Sequence, residues 1–217
     1  MVRAALFDMD RTLVRKETAS LYVKYQRAMG EATLVDTLRV FYWVLQYTAG
    51  IIDAPEVATR ALRPFMGIRE EDLSARCDHW FPRYVEPHVC ERGREAVAAH
   101  RARGEVVAIV TGASVYATRP LGRLLEVEHL VTSELEVDEG GRMTGRFVEP
   151  LCFGVGKIVR AERLAAKLGF TLGDATFYSD SFTDLPLLER VREPVCVNPD
   201  FRLRRIARQR GWRIERW

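Results

Sequence analysis

Hydrophobic and polar positions divide the chain into two kinds of segment. From Thr18 to about Tyr84, apolar residues recur at helical spacing, and no strand pattern interrupts them. On either side, short apolar runs alternate with amphipathic stretches, first at Ala4–Phe7 and then repeatedly after Pro87. Alternating strands and helices are typical of a parallel sheet that is covered on both faces. The pattern predicts a doubly wound α/β core, residues 1–14 and 88–217, with an inserted all-helical domain at residues 15–87.

Two turns stand out in the predicted core. Gly140-Gly141 forms the tight turn of a β-hairpin over residues 137–148, and Gly169 ends the helix that Lys157 begins. The other predicted strands cover Ala4–Phe7, residues 105–110, residues 129–135, Ala175–Ser179, residues 194–197 and residues 212–217. The other predicted helices cover residues 91–103, residues 116–125 and a segment that starts at Asp200.

The helical insert is rich in aromatic residues and in helix-breaking residues. It is divided into short helices by Gly50, Pro55, Pro64, Gly67, Pro82 and Pro87. Its aromatic side chains recur at helical spacing, which favours core packing over a binding site for a cationic head group. Residues 40–52 are apolar but too short to span a bilayer, so no transmembrane segment is predicted. Internal packing, a partner and a lipid surface are all compatible with this stretch.

Residue types that suit phosphate chemistry follow the predicted strands of the core. They are Asp8 and Asp10 after the first strand, Thr111 after the second, Lys157 at a helix start, and Asp180 with Asp184 after a later strand. In doubly wound sheets, the carboxyl ends of the strands lie at one edge, where ligands bind. Several carboxylates in one buried site repel one another, and a hard cation with oxygen ligands offsets that repulsion. We therefore expect a Mg²⁺ site at this edge.

The same residue types can cleave a phosphate ester. A carboxylate can attack phosphorus to form an aspartyl-phosphate, which water then hydrolyses. A second carboxyl can protonate the leaving alcohol and then activate the water. Thr111 and Lys157 can supply a hydrogen-bond donor and a positive charge for the phosphoryl oxygens. Because a lysine in the first turn of a helix is unfavourable without an anionic partner, its position favours a phosphate-binding role.

The order of these motifs resembles that of haloacid dehalogenase superfamily phosphatases. Residues 8–12 (DMDRT) are similar to their DxDx(T/V) signature, and the AIVTG sequence that contains Thr111 is similar to their second motif. Lys157 is similar to the third motif, and residues 178–184 (YSDSFTD) to the fourth. The resemblance covers essentially the whole chain and is strongest for the subgroup that includes phosphoserine phosphatases. It implies a Rossmann-like α/β core with an all-helical cap inserted after the first motif.

For the first motif, the resemblance implies catalytic roles. Asp8 is expected to be the nucleophile and a metal ligand. Asp10 is expected to be the general acid/base and to bind the metal through its backbone carbonyl. Dehalogenases of the superfamily lack this second aspartate, so Asp10 favours phosphatase activity over dehalogenation.

The other motifs are expected to bind phosphate and metal. Thr111, Gly112 and Lys157 are expected to hold the phosphoryl group, and Asp180 is expected to bind Mg²⁺ directly. Asp184 is expected to act beside Asp180, as a ligand or through a water. Alternatively, Asp184 only caps the short helix that follows it.

Residues near the first motif and in the cap are candidates for substrate selection. Glu17 lies where phosphoserine phosphatases place a glutamate that meets the ammonium group of the substrate. Arg60 and Arg63 are candidates for the cap arginine that meets the carboxylate in those enzymes. Arg11 replaces the small residue that is usual after the second aspartate, which puts bulk and charge near the entrance. The expected partner is a small-molecule phosphate ester, such as phosphoserine or an amino-alcohol phosphate.

Composition and charge bear on the possible binding partners and on the cellular compartment. The net charge of +3 is too small to indicate nucleic-acid binding. The arginine-rich C-terminal segment is interpreted as a solvated helix face, with an anionic partner as the alternative. Four widely spaced cysteines and an N-terminus that leaves no room for a signal peptide favour the reducing cytoplasm. The four histidines lack metal-ligand spacing and are expected at the surface or in capping roles.

Two other functions are compatible with parts of the pattern. Response-regulator receiver domains also combine an acidic pocket, a threonine and a lysine on a doubly wound sheet. They are much shorter, have no cap and need no acid/base two residues after the phosphorylated aspartate. The second alternative is a phosphate-binding protein without turnover on the same scaffold, but no catalytic position is missing from the sequence.

Overall fold

A computed structural model describes residues 2–31 and 62–217 of the chain. The strands within these residues are β1 (Ala4–Phe7), β2 (Val106–Ser114), β3 (His129–Val137), β4 (Met143–Val148), β5 (Ala175–Ser179), β6 (Glu193–Val197) and β7 (Arg213–Glu215). They form one sheet in the order β4-β3-β2-β1-β5-β6-β7. Every neighbouring pair is parallel except β3 and β4. The predicted doubly wound sheet and its hairpin are therefore confirmed.

Helices cover both faces of the sheet. Those in the described ranges are α1 (Thr18–Ala28), α2 (Glu70–Tyr84), α3 (Glu91–Ala102), α4 (Val115–Leu125), α5 (Val155–Leu168), α6 (Leu185–Leu188) and α7 (Phe201–Arg210), with 3-10 turns at Arg63–Phe65, Glu86–His88, Leu172–Asp174 and Phe182–Asp184. One hydrophobic cluster joins Phe7 and Ile109 of the sheet to α1, α2, α3 and α4. A second joins Leu6 and Phe177 to α5, α6 and α7. Burial on both faces explains why the central strands are continuous apolar runs.

Two element boundaries near the carboxyl edge differ from the prediction. β2 continues past Thr111 to Ser114, because an irregular register against β3 after Val110 lets the extended chain pair again. Helix α5 begins at Val155, so Lys157 lies within its first turn and not at its first position. Both differences concern the chain segments that carry the predicted phosphate ligands.

The described part of the predicted cap is helical, as expected. It comprises α1, the turn at Arg63–Phe65 and α2, which packs mainly against α4 of the core. Contrary to the predicted break, α2 runs through Pro82, because burial of Trp80 and Phe81 stabilises its last turn. The ring of Tyr22 contacts Trp80 edge-on with centroids 5.5 Å apart, so these cap aromatics form packed core. Residues 40–52 lie outside the described residues.

Three further expectations concern cysteines, the C-terminal arginines and membrane spans. All four cysteines are buried free thiols, in agreement with their wide spacing. Along α7, Leu203 and Ala207 are buried, Ile206 is half-buried and the arginines are exposed, which confirms an amphipathic helix. In the described ranges, no helix has the length and apolar character needed to cross a bilayer.

Candidate active site

Asp8 and Asp180 lie at the carboxyl ends of neighbouring parallel strands. Asp8 follows β1 and Asp180 follows β5, and these strands pair in register. The Asp8 amide donates a hydrogen bond to the Tyr178 carbonyl at 2.9 Å. The rings of Phe7 and Tyr178 stack with their centroids 4.5 Å apart. The sheet therefore brings the first and fourth motifs to one place.

Lys157 connects these motifs through a buried ion-pair network. Its Nζ lies 2.7 Å from Asp8 Oδ1 and 2.8 Å from Asp184 Oδ2, and the residue is only 3% exposed. Although burial alone would lower the pKa of Lys157, the charges of Asp184 and Asp8 raise it. The ammonium group therefore stays protonated. Two of its three hydrogens point to carboxylates, which leaves one for a ligand oxygen.

The start of α5 places Lys157 in that network. Gly154, just before the helix, has a φ of 52°, and a Cβ on Gly156 would lie 1.9 Å from the Leu151 carbonyl oxygen. Only glycine allows this close approach of two backbone segments. Arg160 donates hydrogen bonds to the carbonyl of Pro150 in the preceding loop, at 2.6 Å, and to that of Val148 at the end of β4, at 2.7 Å. Arg160, which follows Lys157 in α5, thereby attaches the helix to the chain segment that precedes it. Lys157 lies between the two attached segments.

Asp184 does not cap the helix that follows it. Its side chain makes no cap hydrogen bond to α6. One oxygen instead accepts from Lys157 and from the Ser179 hydroxyl, which lies 2.7 Å away. The alternative that Asp184 acts only as a helix cap is therefore wrong, because its carboxylate turns toward the cluster.

Burial and mutual repulsion raise the pKa values of two site carboxylates. Burial raises the pKa of Asp8 well above its usual range, Lys157 opposes the shift, and Asp184 and Asp180 add to it. Burial also raises the pKa of Asp180 to about 7, with the Arg11 charge opposing. The fully ionised cluster is therefore unfavourable in the absence of a further cation.

Asp10 lies between Asp8 and the start of α1. Its Oδ1 accepts a hydrogen bond from the Thr18 amide, at the first residue of α1, at 2.7 Å. Burial raises the pKa of Asp10, and the hydrogen bonds from Thr18 oppose this shift. A carboxyl with a raised pKa near the nucleophile can carry a proton to a leaving group.

Thr111 and Gly112 lie on the irregular end of β2. Thr111 is buried, and its Oγ1 accepts a hydrogen bond from the Ala113 amide at 3.2 Å, so the hydroxyl hydrogen can still be donated. A Cβ on Gly112 would meet only the Cys152 carbonyl at 3.5 Å, so the local backbone does not require glycine. Gly112 is exposed at this edge of the sheet. The buried Thr12 hydroxyl also has no partner among the described residues.

Arg11 and Glu17 lie on the solvent side of the cluster. The Arg11 guanidinium is 3.7 Å from Glu17 and 3.8 Å from Asp180. The side chains of Arg11 and Glu17 are 59% and 61% exposed. Because these separations exceed hydrogen-bond lengths, both charges remain available to a ligand. Arg11 has a φ of 58°, an uncommon backbone conformation for a residue with a side chain.

Of the two cap arginines predicted to select the substrate, the structure describes Arg63 and does not bring it to the cluster. Arg63 is exposed on a 3-10 turn that packs against β4. The turn that carries Arg63 is held against the cap helix α1, because Phe65 of the same turn packs near Tyr22 with ring centroids 5.9 Å apart. Arg60 lies outside the described residues.

Two residues that hydrogen-bond to the site are not among the residues predicted from the sequence. Ser179 donates to Asp184, and Asp200 accepts a hydrogen bond from the Phe182 amide at 2.6 Å. The Asp200 amide donates to the Asp180 carbonyl at 2.9 Å. Asp200 was identified only as the start of a helix, and its position just beyond β6, at the same sheet edge, was the available signal.

His100 is buried, contrary to the expectation of surface or capping histidines. It is 5% exposed, its Nε2 lies 2.9 Å from the Tyr178 hydroxyl, and its Nδ1 contacts Glu105. Burial raises the pKa of Tyr178 to about 12, so its hydroxyl keeps its proton at neutral pH. His100 lies three residues after the buried Val97, and this helical spacing was the signal for its burial.

The donor set fits a hard divalent cation. Asp8, Asp180 and Asp184 offer buried carboxylate oxygens at one edge of the sheet. Among residues 2–31 and 62–217, no three histidine, cysteine, aspartate or glutamate side chains are already arranged around an ion position. Lys157 contacts two of the carboxylates instead. Mg²⁺ needs no such cage, because it keeps several waters and takes one or two carboxylates plus phosphate oxygens.

The chain is similar to known hydrolases along most of its length. A family model described as haloacid dehalogenase-like hydrolase matches residues 5–189. Over 220 residues, the chain is 30% identical to a histidinol-phosphatase from Neisseria meningitidis serogroup C (strain 8013), with 99% of this chain and 98% of that protein covered. Over 218 residues, it is 30% identical to a phosphoserine phosphatase from Mycobacterium tuberculosis, with 99% and 70% covered.

Solved structures share the fold. A protein with unknown function from Bordetella pertussis Tohama I has a TM-score of 0.90 and 31% identity, with 99% of both chains covered. A phospho-aspartyl intermediate analogue of phosphoserine phosphatase has a TM-score of 0.69 and 19% identity, with 99% of this chain and 92% of that chain covered. This second likeness supports the fold alone. Because the family model spans most of the sequence, the chain belongs to the haloacid dehalogenase-like hydrolase family.

Proposed function

We propose that the protein is a Mg²⁺-dependent phosphomonoester hydrolase that acts through an aspartyl-phosphate on Asp8. The observation that carries the proposal is the buried contact of Lys157 with Asp8 and Asp184 at the carboxyl edge of the sheet. Together with Asp10, this arrangement combines a nucleophile, a phosphate-binding cation and a proton carrier. The family match and the phosphatase names of two relatives support the same reaction class.

In the first step, a carboxylate oxygen of Asp8 attacks phosphorus and the bond between phosphorus and the ester oxygen breaks. Asp10 gives its proton to the leaving alcohol, and burial, which raises the pKa of Asp10, favours the protonated form that this step needs. Lys157 and the Thr111 hydroxyl donate hydrogen bonds to the phosphoryl oxygens. Gly112, next to Thr111 and exposed at the same edge, is the third residue assigned to these oxygens.

In the second step, water attacks phosphorus and the bond between Asp8 and phosphorus breaks. Asp10, now ionised, takes a proton from the water, and inorganic phosphate leaves. Both aspartates then have their starting protonation states. A single carboxyl thus serves first as acid and then as base, a role that a slowly hydrolysed signalling phosphate does not require.

We propose that the carboxylates of Asp8, Asp180 and Asp184 and the backbone carbonyl of Asp10 hold the metal. The raised pKa values of Asp8 and Asp180 support this assignment, because a bound cation offsets both the burial and the mutual repulsion that raise them. Bound there, Mg²⁺ would neutralise negative charge on the phosphate and on the attacking carboxylate.

The proposed substrate is a small phosphorylated metabolite whose leaving group carries an amine. Glu17 presents an exposed carboxylate near Asp10, where the leaving alcohol departs. Arg11 lies beside it and limits the space at the entrance. The leaving groups of histidinol phosphate and phosphoserine, after which two relatives are named, both carry an amine.

We assign residues 15–87 to the cap. We also assign the protein to the reducing cytoplasm, which the buried free thiols support.

The proposal is tested by phosphate release from a panel of esters, with Mg²⁺ and with a chelator. The panel contains phosphoserine, phosphoethanolamine, histidinol phosphate and sugar phosphates. Wild type is expected to turn over at least one ester only with Mg²⁺, and Asp8→Asn to lose roughly 10³-fold or more of that turnover. Asp174→Asn, at the opposite end of β5, is the matched control and retains activity. Absence of turnover for every ester would favour a phosphate-binding or signalling role.

A further inference from the structure

Asp200 ties helix α7 to the loop between Asp180 and Asp184. Its amide donates a hydrogen bond to the Asp180 carbonyl at 2.9 Å. One oxygen of its carboxylate accepts from the Phe182 amide at 2.6 Å, and the other accepts from the Leu203 amide at 2.9 Å. One residue therefore joins the loop to the first turn of α7.

The other hydrogen bonds of this loop backbone are local. The Ser181 amide donates to Ser179 Oγ at 3.2 Å, and the Thr183 amide donates to Ser181 Oγ at 3.2 Å. The Asp184 amide donates to the Ser181 carbonyl at 3.1 Å. Within residues 2–31 and 62–217, apart from the bond of the Leu185 amide in the adjoining α6 to the Phe182 carbonyl, the hydrogen bonds that join the backbone of residues 180–184 to another element come from Asp200.

Packing reinforces this attachment from the same helix. The guanidinium carbon of Arg202 lies 4.0 Å from the centre of the Phe182 ring, within the range of a cation–π contact. Phe182 is half-buried between the two aspartates of the loop. Backbone and side chain of Phe182 are therefore both held by the start of α7.

We propose that Asp200 is a positioning residue that fixes Asp180 and Asp184 for binding Mg²⁺. The inference rests on the proposed function, because it requires this loop to hold the metal. Buried carboxylates that repel one another separate unless the backbone that carries them is held. Groups that orient metal ligands from outside the coordination shell typically change metal affinity about 10- to 100-fold when removed.

Asp200→Ser removes one of the two hydrogen bonds that the carboxylate accepts and keeps the other. Serine is a favourable N-cap and keeps the bond to the Leu203 amide, so α7 still begins normally. Its shorter side chain cannot also reach the Phe182 amide. Asp174→Ser is the matched control, because Asp174 accepts a hydrogen bond from the Thr171 amide at 3.2 Å at the opposite end of β5.

Two measurements test the proposal on the full chain. Amide hydrogen exchange without metal is expected to be faster at Phe182 in Asp200→Ser and unchanged there in Asp174→Ser. Thermal unfolding during Mg²⁺ titration is expected to show that Asp200→Ser needs roughly tenfold or more Mg²⁺ for half-maximal stabilisation. Saturating Mg²⁺ then partly restores its turnover.

The outcomes separate this inference from the proposed function. Unchanged exchange at Phe182 would overturn the attachment, and an unchanged Mg²⁺ requirement would overturn the positioning role. If Mg²⁺ does not stabilise the wild type, the proposed metal site fails, and the role of Asp200 toward the metal fails with it. That result is recognisable because it appears in the unmodified protein.

Discussion

Buried charges and hydrogen bonds at single residues connect segments that are far apart in the sequence. Lys157 contacts Asp8 across 149 positions, and His100 contacts Tyr178 across 78. The position of Lys157 in a first helical turn predicted an anionic partner, because a cation there is otherwise unfavourable. No local pattern predicts that Ser179 donates to Asp184, since this contact depends on the path of the loop after β5. The sequence therefore predicts the motif residues one by one, but not the hydrogen bond between Ser179 and Asp184.

Glu105 provides a test of the hydrogen-bond network that it forms with His100 and Tyr178. Burial alone would raise its pKa, but hydrogen bonds from Arg103 and His100 lower it below its usual value. A lowered folded-state pKa stabilises the fold above the unfolded pKa, about 4.3, and this contribution is lost as the pH falls through the folded pKa. Glu105→Gln is expected to lower the free energy of unfolding by about 1 kcal/mol at neutral pH and by much less below about pH 4.

Thermal unfolding of wild type and Glu105→Gln from about pH 3 to pH 8 measures this difference. The control is Glu91→Gln, because the Glu91 side chain is 70% exposed and pairs loosely with Arg94 at 3.7 Å, which stabilises little. A stability difference for Glu105→Gln that stays constant across this pH range would contradict the account.

Secondary-structure elements were predictable where hydrophobic pattern and turn chemistry agree. The strands Ala4–Phe7 and Ala175–Ser179 match the prediction to the residue, because buried apolar runs end at an aspartate in both. The beginning of α5 did not match, because it depends on the positive φ of Gly154. The break predicted at Pro82 was wrong, because tertiary burial of α2 outweighs one lost backbone hydrogen bond. Propensity fixes the interior of an element better than its ends.

Gly156→Ala tests whether the start of α5 sets the position of Lys157. A Cβ at this position would lie 1.9 Å from the Leu151 carbonyl oxygen, so the backbone has to move. We expect a loss of roughly 2 kcal/mol or more in the free energy of unfolding and a fall in turnover. Gly173→Ala is the control, because its Cβ would meet Thr171 Oγ1 at 3.5 Å, an ordinary contact. Equal stability and turnover for the two variants would argue against this role of the loop.

Across the whole molecule, the sheet separates two hydrophobic clusters, and the described cap helices belong to one of them. Leu73 and Trp80 of α2 lie in the same cluster as Phe7 of the sheet. The strand alternation predicted the doubly wound core, because each crossover helix must cover one face of the sheet. It did not predict that α2 packs directly against α4, since helical periodicity identifies a buried face but not its partner. We therefore propose that residues where the cap helices meet the core, such as Glu17, select the substrate.

Glu17→Gln tests the role of that junction in substrate choice. The substitution removes the negative charge that faces Arg11 at the entrance. We expect kcat/KM to fall roughly 10-fold or more for phosphoethanolamine and histidinol phosphate, and inhibition by inorganic phosphate to change little. Glu91→Gln, which removes a similar loosely paired charge from α3, leaves the substrate profile unchanged. An unchanged profile for Glu17→Gln would remove Glu17 from the set of specificity residues.

The central claim is that Asp8 carries the phosphoryl group during turnover. Rapid quenching of the enzyme with its best ester and Mg²⁺, followed by borohydride reduction, converts a phosphorylated aspartate to homoserine. Mass spectrometry of the peptide that contains residue 8 then identifies the modified position. The account predicts homoserine at residue 8 only when ester and Mg²⁺ are both present. Turnover of the ester without any homoserine at residue 8, or with homoserine at another aspartate, would contradict it.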